Sequence, residues 1–356
     1  MNLENLVREN IKCLTPYSSA RKEFGGAARI FLDANENGFG SPLARNYNRY
    51  PDPLQTEIKE KIAEFNNVKP SEIFIGNGSD EAIDLLFRIF CEPRRDNVLI
   101  CPPTYGMYEV SAEINDVSIK RAKLTADFRL DFDAIEKAID ECTKLLFICS
   151  PNNPTGNAFA REEILNLAKS FNGIVVVDEA YIHFSREKSL IDEIEIFSNL
   201  VVLQTFSKAW GLAGLRVGLA FANEEIIRLF NKVKPPYNVS QIAQDTISDA
   251  LKNIAEVEYM IAKIIAGREK LIGDLRKFSF IEKIYPTDAN FVLIKTKDAN
   301  GVYKFLLNEK IVVRNRNSVE LCAGCLRITI GTPDENKSLL KALEKFTAEP
   351  QKTRSF

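Results

Sequence analysis

Apolar residues recur along this chain in two rhythms. Between residue 54 and about 230, short β-rich runs alternate with stretches whose apolar positions fall at helical spacing, the pattern of a mainly parallel sheet covered by helices. The strand candidates are NVLIC (97–101), LLFIC (145–149), IVVVD (174–178), LVVLQ (200–204) and VGLAF (217–221). Their unbroken apolar character predicts burial on both faces. SDEAIDLLFRIF (79–90) opens on Ser79, Asp80 and Glu81 and then repeats apolar residues at helical spacing, so it reads as a capped helix. Residues 224–234 and much of 241–276 are predicted helical, the latter as one long connecting element. FVLIK (291–295), IVVR (311–314) and LRITI (326–330), with a last helix near 335–347, predict a smaller α+β unit.

A chain of 356 residues exceeds what one hydrophobic core usually serves. Two domains are therefore expected, a large one over 36–245 and a smaller one over 246–356, with an N-terminal arm over 1–35 joining the smaller.

Composition changes this picture mainly by exclusion. The formal net charge is −2 at pH 7, so no field favours nucleic acid or an anionic membrane. The expected partners are small molecules or a second copy of the chain. No run approaches the ~20 apolar residues that span a bilayer, and the N-terminus lacks the apolar core of a secretory signal. The seven cysteines, an odd number with several inside apolar runs, suit a reducing cytosol. Cys322 and Cys325 form a lone CxxC with no second pair or nearby histidine, and read as core residues. His183 is the single histidine, which argues against a serine-histidine-acid triad or a multi-histidine metal site.

The candidate chemistry lies at strand ends. TFSKAWGLAGLR (205–216) follows the strand LVVLQ, so Ser207 and Lys208 fall just beyond a carboxyl end, where ligands of open α/β sheets bind. IVVVDEAY puts Asp178 at the end of a buried strand with Tyr181 three residues later, and SPNNPTG puts Asn153 in the loop after another. These polar side chains are expected to converge on one edge of the sheet. IGNG also offers a GxG at a strand-to-helix turn. Glu81 stands where a dinucleotide-binding fingerprint needs its third glycine, and that reading leaves Lys208, Asp178 and Tyr181 unexplained.

LTPYSSAR, LDANEN, NRYPDP, CPPTYGMY, SPNNPTG, DEAYI, SKAWGLAGLR and GCLRITIGT follow one another along nearly the whole chain. In these motifs the sequence resembles the fold-type I aminotransferases, and more closely the histidinol-phosphate aminotransferase family. The resemblance implies an α/β fold with a large, mainly parallel-sheet domain for pyridoxal 5′-phosphate and a smaller α+β domain. It implies amino transfer between L-histidinol phosphate and 2-oxoglutarate, giving imidazole-acetol phosphate and glutamate. Aromatic amino acid aminotransferases, and decarboxylases acting on phosphorylated amino acids, share the same cofactor set. A non-catalytic regulator built on this domain would carry an added DNA-binding region, for which a resemblance starting near residue 10 leaves no room.

The same resemblance implies roles. Lys208 would hold the cofactor covalently and then carry the substrate proton. Asp178 would keep the ring nitrogen protonated so that the ring accepts electrons. Tyr181 and Asn153 would hydrogen-bond the phenolic oxygen, and Tyr105 would stack on the ring. The phosphate would lie on the backbone N–H groups of Ser79 and Asp80 at a helix start, with Ser207 and Arg216. The carboxylate of Asp80 should then point away from that anion. Arg314 and Arg327 would take the substrate's anionic end, Tyr17 would close over it, and Asn35 would lie near its amine or imidazole. Tyr50 would reach the neighbouring cofactor phosphate across a homodimer interface, so that each site needs two chains.

Overall fold

The five apolar runs of the first 230 residues all become strands of one sheet in the computed structural model, which describes residues 3–17, 30–43, 45 and 47–348. Its strands are β1 (Ile73–Asn77), β2 (Asn97–Ile100), β3 (Ser118–Arg121), β4 (Thr143–Cys149), β5 (Ile174–Asp178), β6 (Leu200–Thr205) and β7 (Val217–Ala222). They lie in the order β1-β7-β6-β5-β4-β2-β3. Only β7 runs against its neighbours. The pattern had not singled out β1 or β3. The latter is half-exposed and reads SIKR, so an edge strand of this kind carries no apolar signal.

Continuous apolar strands are explained by what covers them. In β5, Val175 and Val177 join one core while Ile174 and Val176 join the core on the opposite face. Each such side chain contributes roughly 1.5–3 kcal/mol by leaving water. The covering helices are α1 (Glu9–Lys12), α2 (Thr56–Asn66), α3 (Gly78–Phe90), α4 (Met107–Ile114), α5 (Phe132–Ala138), α6 (Arg161–Ser170), α7 (Glu224–Val233) and α8 (Gln241–Ala250). The long element expected over 241–276 is broken by a 3₁₀ turn at Leu251–Asn253, after which α9 (Ile254–Leu275) continues.

The second sheet is antiparallel, in the order β10-β11-β9-β8. Its strands are β8 (Ile281–Ile284), β9 (Phe291–Thr296), β10 (Arg314–Asn315) and β11 (Cys325–Thr329). Helices α10 (Ala299–Asn308) and α11 (Pro333–Ala348) complete this part. Val292 and Ile294 of β9 face a core shared with these helices, whereas Phe291 and Leu293 belong to the core of the large sheet. IVVR forms less strand than expected, because the Ile311 N–H is taken by the end of α10 and Val313 is buried; Arg314 therefore begins β10 rather than ending a strand.

Leu3, Leu6, Val7 and Ile11 are buried with the residues of α3 and α7, on the large sheet's helical layer. Arg8 donates to the Arg88 carbonyl at 3.0 Å and pairs with Glu92. The first turns of the arm thus pack on the large sheet's helical layer. Residues 18–29, which include the end of LTPYSSAR, and the terminal 349–356 lie outside the described residues.

Candidate active site

Parallel strands deliver their following loops to one edge, and β7, running the other way, begins there. That geometry gathers Ser79 after β1, Tyr105 after β2, Asn153 after β4, Asp178 and Tyr181 at β5, Ser207 and Lys208 after β6, and Arg216 just before β7. All of them, with Asp80, line one cavity of about 150 Å³. A larger hollow of about 740 Å³ lined by Arg45, Asp52, Gln241 and Asp249 lacks such a convergence of strand ends.

Asp178 lies on the cavity floor, only 3% exposed. One carboxylate oxygen accepts from the Tyr108 hydroxyl at 2.8 Å and the other from the Ala180 N–H at 3.0 Å. Burial raises its proton affinity, and those two donors oppose the rise. Lys208 stands at the mouth, its Nζ 5.7 Å from the centre of the Tyr181 ring. Partial enclosure and the Arg327 guanidinium bring this amine below the ordinary lysine range. Tyr181 is 7% exposed and packs edge-on to Phe291, with burial pushing its hydroxyl up.

Glycines shape the cavity where α3 begins. Gly78 takes a φ of +72°, which a side chain would strain, and donates its N–H to the Arg216 carbonyl at 2.7 Å. A Cβ on Gly218 would lie 2.1 Å from the Ser79 nitrogen. The start of α3 therefore sits directly against β7, with Ser207 and Arg216 beside it. Contrary to expectation, the Asp80 carboxylate points into this region. It accepts from Arg216 at 3.2 Å and from the Tyr105 hydroxyl at 3.1 Å. These are the cationic and phenolic donors nearest to it, and the Arg216 pair is half-exposed and weak.

On the second sheet, Arg327 and Arg314 lie outside that cavity's lining, and Arg327 reaches it through Asn153. Arg327 donates to the Asn153 side-chain oxygen, lies 5.0 Å above the Phe291 ring, and keeps a buried Nε without a partner. Arg314 is directly opposite Arg327 across β10 and β11. The structure does not bring every expected residue to this cavity within one chain. Tyr17 is 71% exposed; Tyr50 and Asn35 line a separate hollow, where Tyr50 stacks on Tyr237 at 4.5 Å.

Residues 32–343 match the family of class I and II aminotransferases. The chain belongs to this family. It is 50% identical to the histidinol-phosphate aminotransferase of Cytophaga hutchinsonii, over 97% of this chain and 99% of that one. The corresponding protein of Flavobacterium johnsoniae is also 50% identical, over 96% of this chain and 98% of its own. Among solved structures, the histidinol-phosphate aminotransferase of Clostridium acetobutylicum matches with a TM-score of 0.79 and 27% identity, covering 85% of this chain and 91% of that one.

Two residues of this aminotransferase escaped the sequence reading. Tyr108 lies in CPPTYGMY, three residues after Tyr105, and that helical spacing could have placed both rings on one side of the turn. Arg316 follows just after β10, and it too keeps a buried Nε without a partner.

Proposed function

We propose that this aminotransferase uses pyridoxal 5′-phosphate to move an amino group between L-histidinol phosphate and 2-oxoglutarate, forming imidazole-acetol phosphate and glutamate. The observation that carries the reading is the single cavity in which Lys208, Asp178, Tyr181, Asn153 and Arg216 meet. Its donor set fits the cofactor: a buried carboxylate for the ring nitrogen, an amine at the mouth, and backbone N–H groups with a guanidinium for the phosphate. When bound, pyridoxal phosphate supplies a protonated ring that accepts electrons from the carbon being deprotonated.

The chain's own residues divide the remaining work. Lys208 would hold the cofactor covalently and would move the proton at the substrate carbon, work that suits an amine whose proton affinity partial enclosure lowers. Asp178 holds the proton on the ring nitrogen. Tyr181 and Asn153 hydrogen-bond the phenolic oxygen, and Tyr105 covers the ring. The N–H groups of Ser79 and Asp80, with Ser207 and Arg216, bind the phosphate, which requires Arg216 to turn from the Asp80 carboxylate to the anion.

Arg314 and Arg327 bind the anionic end of either substrate, Tyr17 closes over it, and Asn35 contacts the amine or imidazole end. Tyr50 comes from a second copy in a homodimer. Its placement in a hollow apart from Lys208 supports that assignment. The cytoplasm suits the enzyme, since all seven cysteines are free. Among the described residues no helix is long and apolar enough to cross a membrane. The test is glutamate formation from histidinol phosphate and 2-oxoglutarate by the purified, cofactor-loaded protein. A rate with phenylalanine or tyrosine equal to that with histidinol phosphate would overturn the substrate assignment.

A further inference from the structure

Tyr108 is fully buried, and its ring is held on purely apolar terms. It stacks on Phe147 at 4.7 Å, and Phe147 stacks in turn on Phe87. Its edge meets Tyr105 at 5.6 Å. Phenylalanine would satisfy every one of these contacts. A hydroxyl buried in such a core costs stability unless it finds a partner, and this one donates at 2.8 Å to Asp178. Asp178 is equally enclosed, and Tyr108 is the one side chain among the described residues that donates to it; its other donor is the Ala180 backbone N–H.

We infer that Tyr108 is a positioning residue for Asp178: its hydroxyl fixes the carboxylate plane on the cavity floor, where it can receive the cofactor's ring N–H. The inference rests on the proposed cofactor, and adds a residue that lies outside the cavity lining and acts through Asp178. Burial drives Asp178 toward its protonated form, and the Tyr108 hydrogen bond pulls the other way. The remaining titratable groups felt by Asp178 are Asp80, Tyr105, Cys149, Tyr181 and Lys208. Of these, Cys149 also meets the Tyr108 hydroxyl, which draws its thiol down against the rise that burial causes.

The sign follows. An anionic Asp178 binds a ring N–H, and a protonated one does not, so affinity falls as pH drops through the Asp178 titration. Without the Tyr108 donor that titration moves up, and the fall begins at higher pH. The probe is pyridoxine 5′-phosphate, which carries the ring nitrogen and phosphate but no aldehyde, so covalent chemistry with Lys208 does not enter.

Its Kd is measured against pH by calorimetry for the wild type and for Tyr108→Phe, Asp178→Asn and Tyr108→3-fluorotyrosine. The probe's phosphate itself titrates at about pH 6 in every variant, so the part of the acid limb lost in Asp178→Asn identifies the Asp178 titration. Tyr108→Phe should move that limb up by about one pH unit, a tenfold change in proton affinity or ~1.4 kcal/mol. Tyr108→3-fluorotyrosine, a stronger donor of nearly the same shape, should move it down, and stands as the test should Tyr108→Phe fail to fold. A limb at the same pH in the variants overturns the role of Tyr108. Loss of binding in the wild type, or an acid limb identical in the wild type and Asp178→Asn, overturns the pairing of Asp178 with the ring nitrogen and the cofactor reading with it.

Discussion

Replacing Lys208 by Ala removes the amine at the mouth of the Asp178 cavity without touching its floor. The variant should fold as the wild type does, lose the visible absorbance of covalently held cofactor, and lose turnover by at least about 10²–10⁴-fold, the scale of a positioned acid–base group. Absorbance and single-turnover kinetics on the same sample check both. The arginines make a sharper residue-scale prediction. A phosphate offers three terminal oxygens to guanidinium forks, and a charge-assisted hydrogen bond is worth roughly 1.5–3 kcal/mol, or about 10–100-fold. Arg314→Ala should therefore lower kcat/KM for histidinol phosphate by that factor and for phenylalanine by much less. Arg327→Ala should impair both, because the Asn153 contact goes with it. Equal losses for the two substrates in Arg314→Ala would remove Arg314 from phosphate recognition.

Among elements, the junction of α3 and β7 is the most exacting, since a Cβ on Gly218 would collide with the Ser79 nitrogen. Gly218→Ala should lower stability by roughly 1–3 kcal/mol through overpacking, and weaken cofactor phosphate binding by displacing the start of α3. Urea denaturation and cofactor titration report these separately; unchanged values in both would mean that α3 shifts freely. How legible such features were depended on burial. The five central strands announce themselves because both faces are covered, and Lys208, Asp178 and Asn153 are legible because they end or follow those strands. Strand β3 and the two-residue β10 are short or half-polar and carry no periodic signal. The direction of the Asp80 carboxylate was not legible, since it is set by Arg216 and Tyr105, distant in sequence. Tyr108 was visible as a letter, but its partner Asp178 is 70 residues away.

At the scale of the whole molecule, the described arm lies on the large sheet's helices through Leu3, Leu6, Val7 and Ile11, a packing that local patterning cannot specify. The proposed dimer makes its own prediction. Mixing Lys208→Ala chains with Tyr50→Ala chains places both defects in one site of each heterodimer and leaves the other whole. Activity should recover on mixing, provided each parent is impaired alone; no recovery, or a fully active monomer in sedimentation, would contradict shared sites. The proposed enzyme works by amino transfer to and from histidinol phosphate through the Lys208 cavity. Its most direct test is the glutamate formed from histidinol phosphate and 2-oxoglutarate by wild type and by Lys208→Ala under identical loading with pyridoxal phosphate. Sustained turnover by the wild type, abolished in Lys208→Ala, is the predicted result; no glutamate from the wild type, or equal rates from both proteins, would contradict it.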